Sequence, residues 1–468
     1  MITNSQQTAA RGRFPFKLLV PLMLGAILNP INSSIIAVAL VPIGVAFGAS
    51  AAQTAWLVSA LYMATAIGQP LVGRFVDVFG PKRLFLLGAA LTAVAGILGT
   101  VAPNLWVLVL ARVILGLGTC AGYPAAMSLI RNVADHDHLD SPAGVLTALS
   151  VTVQTIAAIG PTLGGLLIDL GGWRLTMVIN IPLGAFALVL GWMTLPSYGG
   201  GTRQEEREAL RGFDWAGTAL FAVALLGLLL FLMAPGASTL WGLAVAVATG
   251  AAFAFRERRT KAPFIDLRLL RGNLPLLATF ARALSASTSS YAFIYGFSQW
   301  MEDGRGLTAS NAGLLLLPTF GVGIIVSALW GRTPQVRTKL IVGGILQIVV
   351  GAILLVTSPG SPIWFLAAAT ALLGIPQGLL SLCNQNALYH QAQPASLGAS
   401  SGLLRTFQYF GAIIASAATG MAFGQRADSA GMHELALFMI AVSTLALLIT
   451  LIDRSLSRVG APPSDGNS

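Results

Sequence analysis

Gly73-Arg74-Phe75-Val76-Asp77-Val78-Phe79-Gly80-Pro81-Lys82-Arg83 is a short charged stretch held between two apolar runs, residues 53–73 and 84–102. Arg74, Asp77, Lys82 and Arg83 need water, and Gly80-Pro81 is a turn signal. The runs on either side are each about twenty residues long, enough to cross a hydrocarbon core roughly 30 Å thick as a helix. A charged turn between two such runs predicts a hairpin of membrane helices, and the rest of the chain repeats the pattern.

Of the 468 residues 55% are hydrophobic and only 9% are charged, and the mean hydropathy is +0.78. A soluble globular chain does not have this composition, so lipid is the expected solvent. Backbone in lipid must satisfy its own hydrogen bonds, and long apolar runs then predict an all-α polytopic membrane protein. The first run, 18–42, follows Arg11, Arg13 and Lys17 without a convincing cleavage site and is read as an uncleaved helix. Further runs lie at 53–73, 84–102, 105–129, 142–168, 175–195, 214–234 and 238–255. After a charged interval come 274–299, 309–330, 340–357, 362–388, 399–423 and 432–452. Fourteen crossings are predicted.

The formal charge of +10 would suit a nucleic-acid partner if it were clustered, but it is spread among the loops. Arg74, Lys82, Arg83, Arg131, Arg203, Arg207, Arg211, Arg256, Arg258, Arg259, Lys261, Arg268, Arg271, Arg332, Arg337 and Lys339 sort to the side of both termini, against Arg174, Arg305 and Arg426 on the other. The positive-inside rule puts both termini in the cytoplasm of a cell (inner or plasma) membrane. Cys120 and Cys383 both fall inside spans, so neither a disulfide nor a metal site is expected. No G-x-x-x-x-G-K-[ST] loop occurs, which argues against ATP drive, and no cofactor or enzymatic chemistry is implied.

The charge and apolar pattern divides the chain into a cytoplasmic tail, 1–17; a six-helix bundle, 18–195; a Gly-rich then charged linker, 196–213; two inserted helices, 214–255; an amphipathic linker, 256–273; a second six-helix bundle, 274–452; and a tail, 453–468.

The 73–83 stretch resembles the major facilitator loop motif G-x-x-x-D-x-x-G-x-[KR]-[KR]. The resemblance implies that Gly73, Asp77, Gly80, Lys82 and Arg83 act in gating, with Asp77 docking near the start of span thirteen. A degenerate copy with Arg332, Arg337 and Lys339 but no aspartate occupies the matching later loop. Arg112-Val113-Ile114-Leu115-Gly116-Leu117-Gly118 resembles the family's R-x-x-x-G-x-G motif, and Gly160-Pro161-Thr162-Leu163-Gly164-Gly165 resembles the core of its exporter motif. Gly160, Pro161, Gly164 and Gly165 are therefore expected to hinge or seal the cavity. Trp173-Arg174, Asn180 to Gly184, Phe213-Asp214-Trp215-Ala216-Gly217 and Ala262 to Leu267 look like the fourteen-helix drug:proton antiporter branch. The resemblance covers residues 17–453 and implies two six-helix pseudo-repeat bundles with two inserted helices. It also implies multidrug efflux by alternating access.

One departure is informative. The branch carries an aspartate in span one where this chain has Asn32, in Ile31-Asn32-Ser33-Ser34-Ile35. An amide neither holds a proton at physiological pH nor neutralises a cationic drug. Arg112, Arg282 and Arg405 lie inside spans with no interior acid to match them, and Arg282 and Arg405 are near enough to the cytoplasmic ends to snorkel. Neutral or anionic amphiphiles are thus the expected substrates. Asn29, Asn32, Tyr62, Arg112, Tyr123 and Gln154 are cavity candidates from the first bundle, facing Tyr291, Tyr295, Gln299, Gln377 and Asn384 from the second. Glu302, Asp303 and Asp169 are the candidate proton carriers.

The leading expectation is a proton-coupled exporter, working as a monomer in the lipid bilayer on small molecules. An uncoupled or anion-coupled facilitator of the same fold is the alternative. A sensor or scaffold without turnover would need interhelical charge pairs to lock the bundle, and none is legible.

Overall fold

The computed structural model describes residues 16–136, 143–197, 202–233, 236–260, 263–265, 272–330, 335–392 and 397–458. Every apolar run named above is helical within them. The first comprises α1 (Phe16–Ile35), a 3-10 turn over Ile36–Val38 and α2 (Leu40–Phe47). Then come α3 (Ala51–Phe79) and α4 (Pro81–Thr100). Ser50 and Gln53 start α3 with reciprocal side-chain caps. Between α3 and α4, Gly80 sits at φ +86°, a conformation open to glycine, and Pro81 opens α4 where its missing N–H costs nothing.

The fourth run breaks into α5 (Leu105–Thr119) and α6 (Gly122–His136), with Pro124 in the first turn of α6. Proline has no N–H to continue the ladder, so the break falls just before it. The same logic at Pro182 separates α8 (Leu175–Val178) from α9 (Asn180–Thr194), which follow α7 (Ala143–Gly171). A surface helix, α10 (Arg203–Gly212), is capped by Thr202 and Glu205. Next are α11 (Trp215–Met233) and α12 (Leu240–Arg259). The last six are α13 (Leu274–Gln299), α14 (Ala309–Trp330), α15 (Val336–Leu355), α16 (Ile363–Gln391), α17 (Leu397–Phe423) and α18 (Ser429–Ile452).

Among the described residues eleven helices are long and apolar enough to cross a membrane. The long helices outside that set are α7, α13 and α17, which carry residues such as Thr162, Arg282 and Arg405. Thr162 is half-buried and Arg282 buried where these helices pack on their neighbours, while Arg405 is exposed.

Packing repeats itself. Helix α4 lies on α5 and α9, α3 on α5, and α1 on α7 and α9. Correspondingly, α15 lies on α16 and α18, α14 on α16, and α13 on α17 and α18. The two groups meet along a seam where α7 crosses α14 and α3 crosses α17, themselves equivalent pairings. Helix α11 pairs with α12 and leans on both α3 and α17.

Candidate functional site

The seam is closed at one end. Ala52 N–H donates to Gly424 O (3.1 Å) and Ser416 Oγ to Ala55 O (2.8 Å), joining the start of α3 to the end of α17. Thr162 Oγ1 donates to Gly313 O (3.1 Å), joining α7 to α14. The exporter-like segment makes this approach possible. Gly160 and Gly164 lie against α1, while a side chain at Gly165 would strike the backbone of Ala309 and Ser310. The Pro161 carbonyl meets Gly313 in the same way.

Below this seal four tyrosines converge. The hydroxyls of Tyr62 and Tyr295 are 3.1 Å apart across the seam, and Tyr295 also donates to Ser33 O (3.4 Å). Tyr62 packs edge-on to Tyr291 (5.5 Å between centroids) and beside Tyr409 (5.6 Å), and Tyr291 stacks on Tyr295 (5.6 Å). Such ring pairs each contribute about 0.5–1.5 kcal/mol beyond their burial.

Behind the tyrosines Arg112 is 1% exposed. Its Nε donates to Leu57 O (3.0 Å) and its two terminal nitrogens to Asn32 O (3.3 and 3.4 Å). No carboxylate among the described residues bonds to it. Asn32 itself is buried, donating to Leu28 O (2.8 Å) and to Asn180 Oδ1 (2.6 Å). It clasps α1 to α9 instead of facing an open cavity.

On the far side of the tyrosines from the seal is a cavity of about 50 Å³ lined by Ala26, Asn29, Pro30, Gln69, Thr119, Tyr123, Val153, Arg405 and Tyr409. Asn29 donates to Thr119 Oγ1 (3.1 Å) and more weakly to Thr65 Oγ1 (3.5 Å). The Arg405 guanidinium of α17 lies 4.6 Å over the Tyr123 ring of α6, bridging the two groups. Gln69 Oε1 has no hydrogen-bond partner among the described residues. Drug-sized ligands need roughly 300–1,000 Å³, so this cavity as it stands is too small for one.

The sequence candidates thus divide. Asn29 and Tyr123 line the cavity, while Tyr62, Tyr291 and Tyr295 reach it only through ring packing on Tyr409. Gln299 is buried and donates to Tyr295 O (3.1 Å). Half-buried Gln377 and buried Asn384 each leave an amide oxygen unbonded among the described residues. The side chains of Gln154 and Asp77, and all of Arg332, lie outside the described residues. Gly73 touches nothing that a side chain would disturb. Lys82 donates to Trp192 O (3.0 Å) and Leu195 O (2.5 Å) at the end of α9, and Arg83 pairs with Glu206 of α10 (2.7 Å). In the other group Arg337, at the start of α15, donates to Leu451 O at the end of α18 (3.1 Å).

Beyond α13, Trp300–Gly304 forms a π turn. Glu302 is buried there with Ser298 Oγ 3.5 Å away, and burial, then the adjacent Asp303, push its carboxyl well above the usual range. Asp303 accepts from Ala427 N–H (3.4 Å). Asp169 is exposed.

Two expectations are corrected. Arg282 does not snorkel: it is 2% exposed and pairs with Asp453 at 2.7 Å. That pair, extended by Thr279, Gln391 and Ser455, is an interhelical charge contact where none was legible. Asp453 stands just past the last apolar run, so span-by-span reading separated it from its partner. Gln69, Arg405 and Tyr409 were not among the cavity candidates. Their polarity within apolar runs was the available signal.

The sequence profile described as Major Facilitator Superfamily matches residues 22–416. The chain belongs to the Major Facilitator Superfamily. One relative within the superfamily, the uncharacterized MFS-type transporter YwoD of Bacillus subtilis, is 33% identical over 444 residues, 91% of this chain and 94% of that protein. The tetracenomycin C resistance and export protein of Streptomyces glaucescens is 27% identical over 447 residues, 91% of this chain and 79% of that protein. In fold, the chain is similar to a bacterial homolog of the human lysosomal transporter Spinster, with a TM-score of 0.68 at 16% identity, covering 97% of this chain and all of the other. Superfamily membership and these likenesses identify a multi-pass secondary transporter of small molecules, not an enzyme.

Proposed function

We propose that this transporter is an exporter of amphiphilic small molecules, of neutral or anionic character, and that it belongs to the fourteen-helix drug:proton antiporter branch. In this reading α1–α9 and α13–α18 are six-helix halves, α11 and α12 are an inserted pair, and both termini are cytoplasmic in a plasma membrane. The halves rock around the cavity, and the seal closes the outer side. One observation carries the substrate class. Arg405 and amides line the cavity, and none of its lining residues is acidic. The name of the tetracenomycin C relative supports the direction of transport.

Everted vesicles offered amphiphiles matched in size but differing in charge test this reading. Anionic compounds are expected to outcompete dications; the reverse order would overturn the substrate assignment. Arg405→Gln should weaken anion uptake about tenfold, the equivalent of about 1.4 kcal/mol, and leave neutral compounds nearly unchanged. Equal losses for both classes would place Arg405 in structure rather than selectivity.

We assign proton coupling to Glu302, whose raised affinity for a proton suits a carrier that loads and releases it as the outer side opens. Glu302→Gln with Asp303→Asn is expected to abolish proton movement tied to uptake. Coupled transport persisting in that variant would remove the assignment. Uptake without proton movement in the unaltered protein would favour the facilitator, for which the amide at Asn32 is the supporting observation.

A further inference from the structure

Three ionisable side chains meet where α11 begins and α12 ends, and the transport cycle above uses none of them. Asp214, 3% exposed, accepts from Arg256 Nε (2.7 Å) and from Gly217 N–H (2.8 Å) through the same oxygen, Oδ1. Its Oδ2 has no hydrogen-bond partner among the described residues. Glu257, fully buried, accepts from Ile265 N–H (3.2 Å) through Oε2, and its Oε1 is also without a partner among the described residues. The two unpartnered oxygens press on one spot: a methyl group added to Gly217 would strike both Asp214 Oδ2 and Glu257 Oε1.

Two acceptors turned toward one point in an apolar setting repel each other, and a charge there has no water to solvate it. The surroundings are the rings of Phe213, Phe221, Phe253 and Phe264. Two carboxylates and the Arg256 guanidinium sum to one negative charge, which a single proton cancels.

We propose that Asp214 and Glu257 share one proton between Oδ2 and Oε1, forming a proton-binding site at the foot of the inserted pair and apart from the central cavity. The ring cluster beside the site continues into Ile265 of the linker, Ile67, Leu71 and Phe75 of α3 and Phe410 of α17. Arg256 is bonded to it, while Arg259 is turned onto the Phe255 ring (4.0 Å). Phe213 meets Phe75 of α3 at 5.6 Å and Phe221 meets Phe410 of α17 at 6.0 Å, so the cluster rests on both sides of the seam. Losing the proton leaves a charge among these rings and draws water in, loosening α11 from α3 and α17. Proton occupancy thereby sets how firmly the inserted pair is docked.

Infrared difference spectra of the full-length protein in lipid nanodiscs, taken across a pH titration, read the carbonyl stretch of buried protonated carboxyls. A band that disappears on raising the pH is expected in the unaltered protein. It should persist in Glu302→Gln, which leaves both members of the pair intact and removes the other buried carboxyl. In that background it should be lost on adding Glu257→Gln and, independently, on adding Asp214→Asn. A titrating band retained in either double variant, or absent from Glu302→Gln, overturns the proposal. Thermal stability gives a second readout. A proton held by the folded protein and released on unfolding makes stability fall as pH rises, and Glu257→Gln should flatten that fall. An unchanged slope counts against the shared proton.

Discussion

Arg112→Met is expected to cut transport by at least about tenfold while leaving thermal stability at or above that of the unaltered protein. Two costs oppose each other in the fold. Burying a guanidinium without a carboxylate costs several kcal/mol even after relaxation. Its bonds to Leu57 O and Asn32 O would normally offset much of that, at about 1–3 kcal/mol each for charge-assisted contacts. Leu57 sits inside α3, however, where its carbonyl already accepts the helix's own N–H, so removing Arg112 does not orphan it. Methionine fills similar space without the charge. What it cannot do is fasten α1, just before the Ile36–Val38 break, to α3 and α5 at one point. Uptake and melting temperature measured on the same preparation decide the matter. Full transport by Arg112→Met would make the arginine incidental, and a large drop in melting temperature would make it structural.

Gly165→Leu should hold the seam open at its sealed end and stop turnover. The position faces the backbone of Ala309 and Ser310, which cannot rotate aside as a side chain would. Overpacking of this sort costs about 1–3 kcal/mol, enough to shift a balance between sealed and unsealed forms by about 5- to 150-fold. A reporter cysteine at Ala52, which lies against Gly420 on the opposing helix, should react faster with a soluble thiol reagent in the variant. The native Cys120 and Cys383 are buried and give a low background. Unchanged labelling together with normal transport would show that the α7–α14 contact is not the gate.

The fold was legible because lipid imposes few solutions, and apolar runs of spanning length between charged turns announce themselves. Break points inside spans could be read afterwards from Pro124 and Pro182, whose effect depends only on local geometry. Side-chain partners were harder. Asn29 and Tyr123 reached the cavity, but Asn32 turned to Asn180, a residue 148 positions away. No periodicity within one helix reports which helix stands opposite. Arg282 illustrates the same limit, since Asp453 lies 171 positions downstream, beyond the last apolar run. Tyr62, Tyr291 and Tyr295 could be named singly and Tyr409 was missed, and the meeting of the four across the seam required the packing of α3, α13 and α17.

Lys82 and Arg337 act as equivalent struts, bracing the start of α4 against the end of α9 and the start of α15 against the end of α18, where free carbonyls await a cation. Rigidity is therefore built into each group separately. The seam has no ion pair among the described residues and is joined by single neutral hydrogen bonds, small residues in van der Waals contact and one cation stacked on a ring. The molecule resembles two stiff plates with a compliant hinge line between them. Work done by a bound solute goes into the hinge and not into the plates.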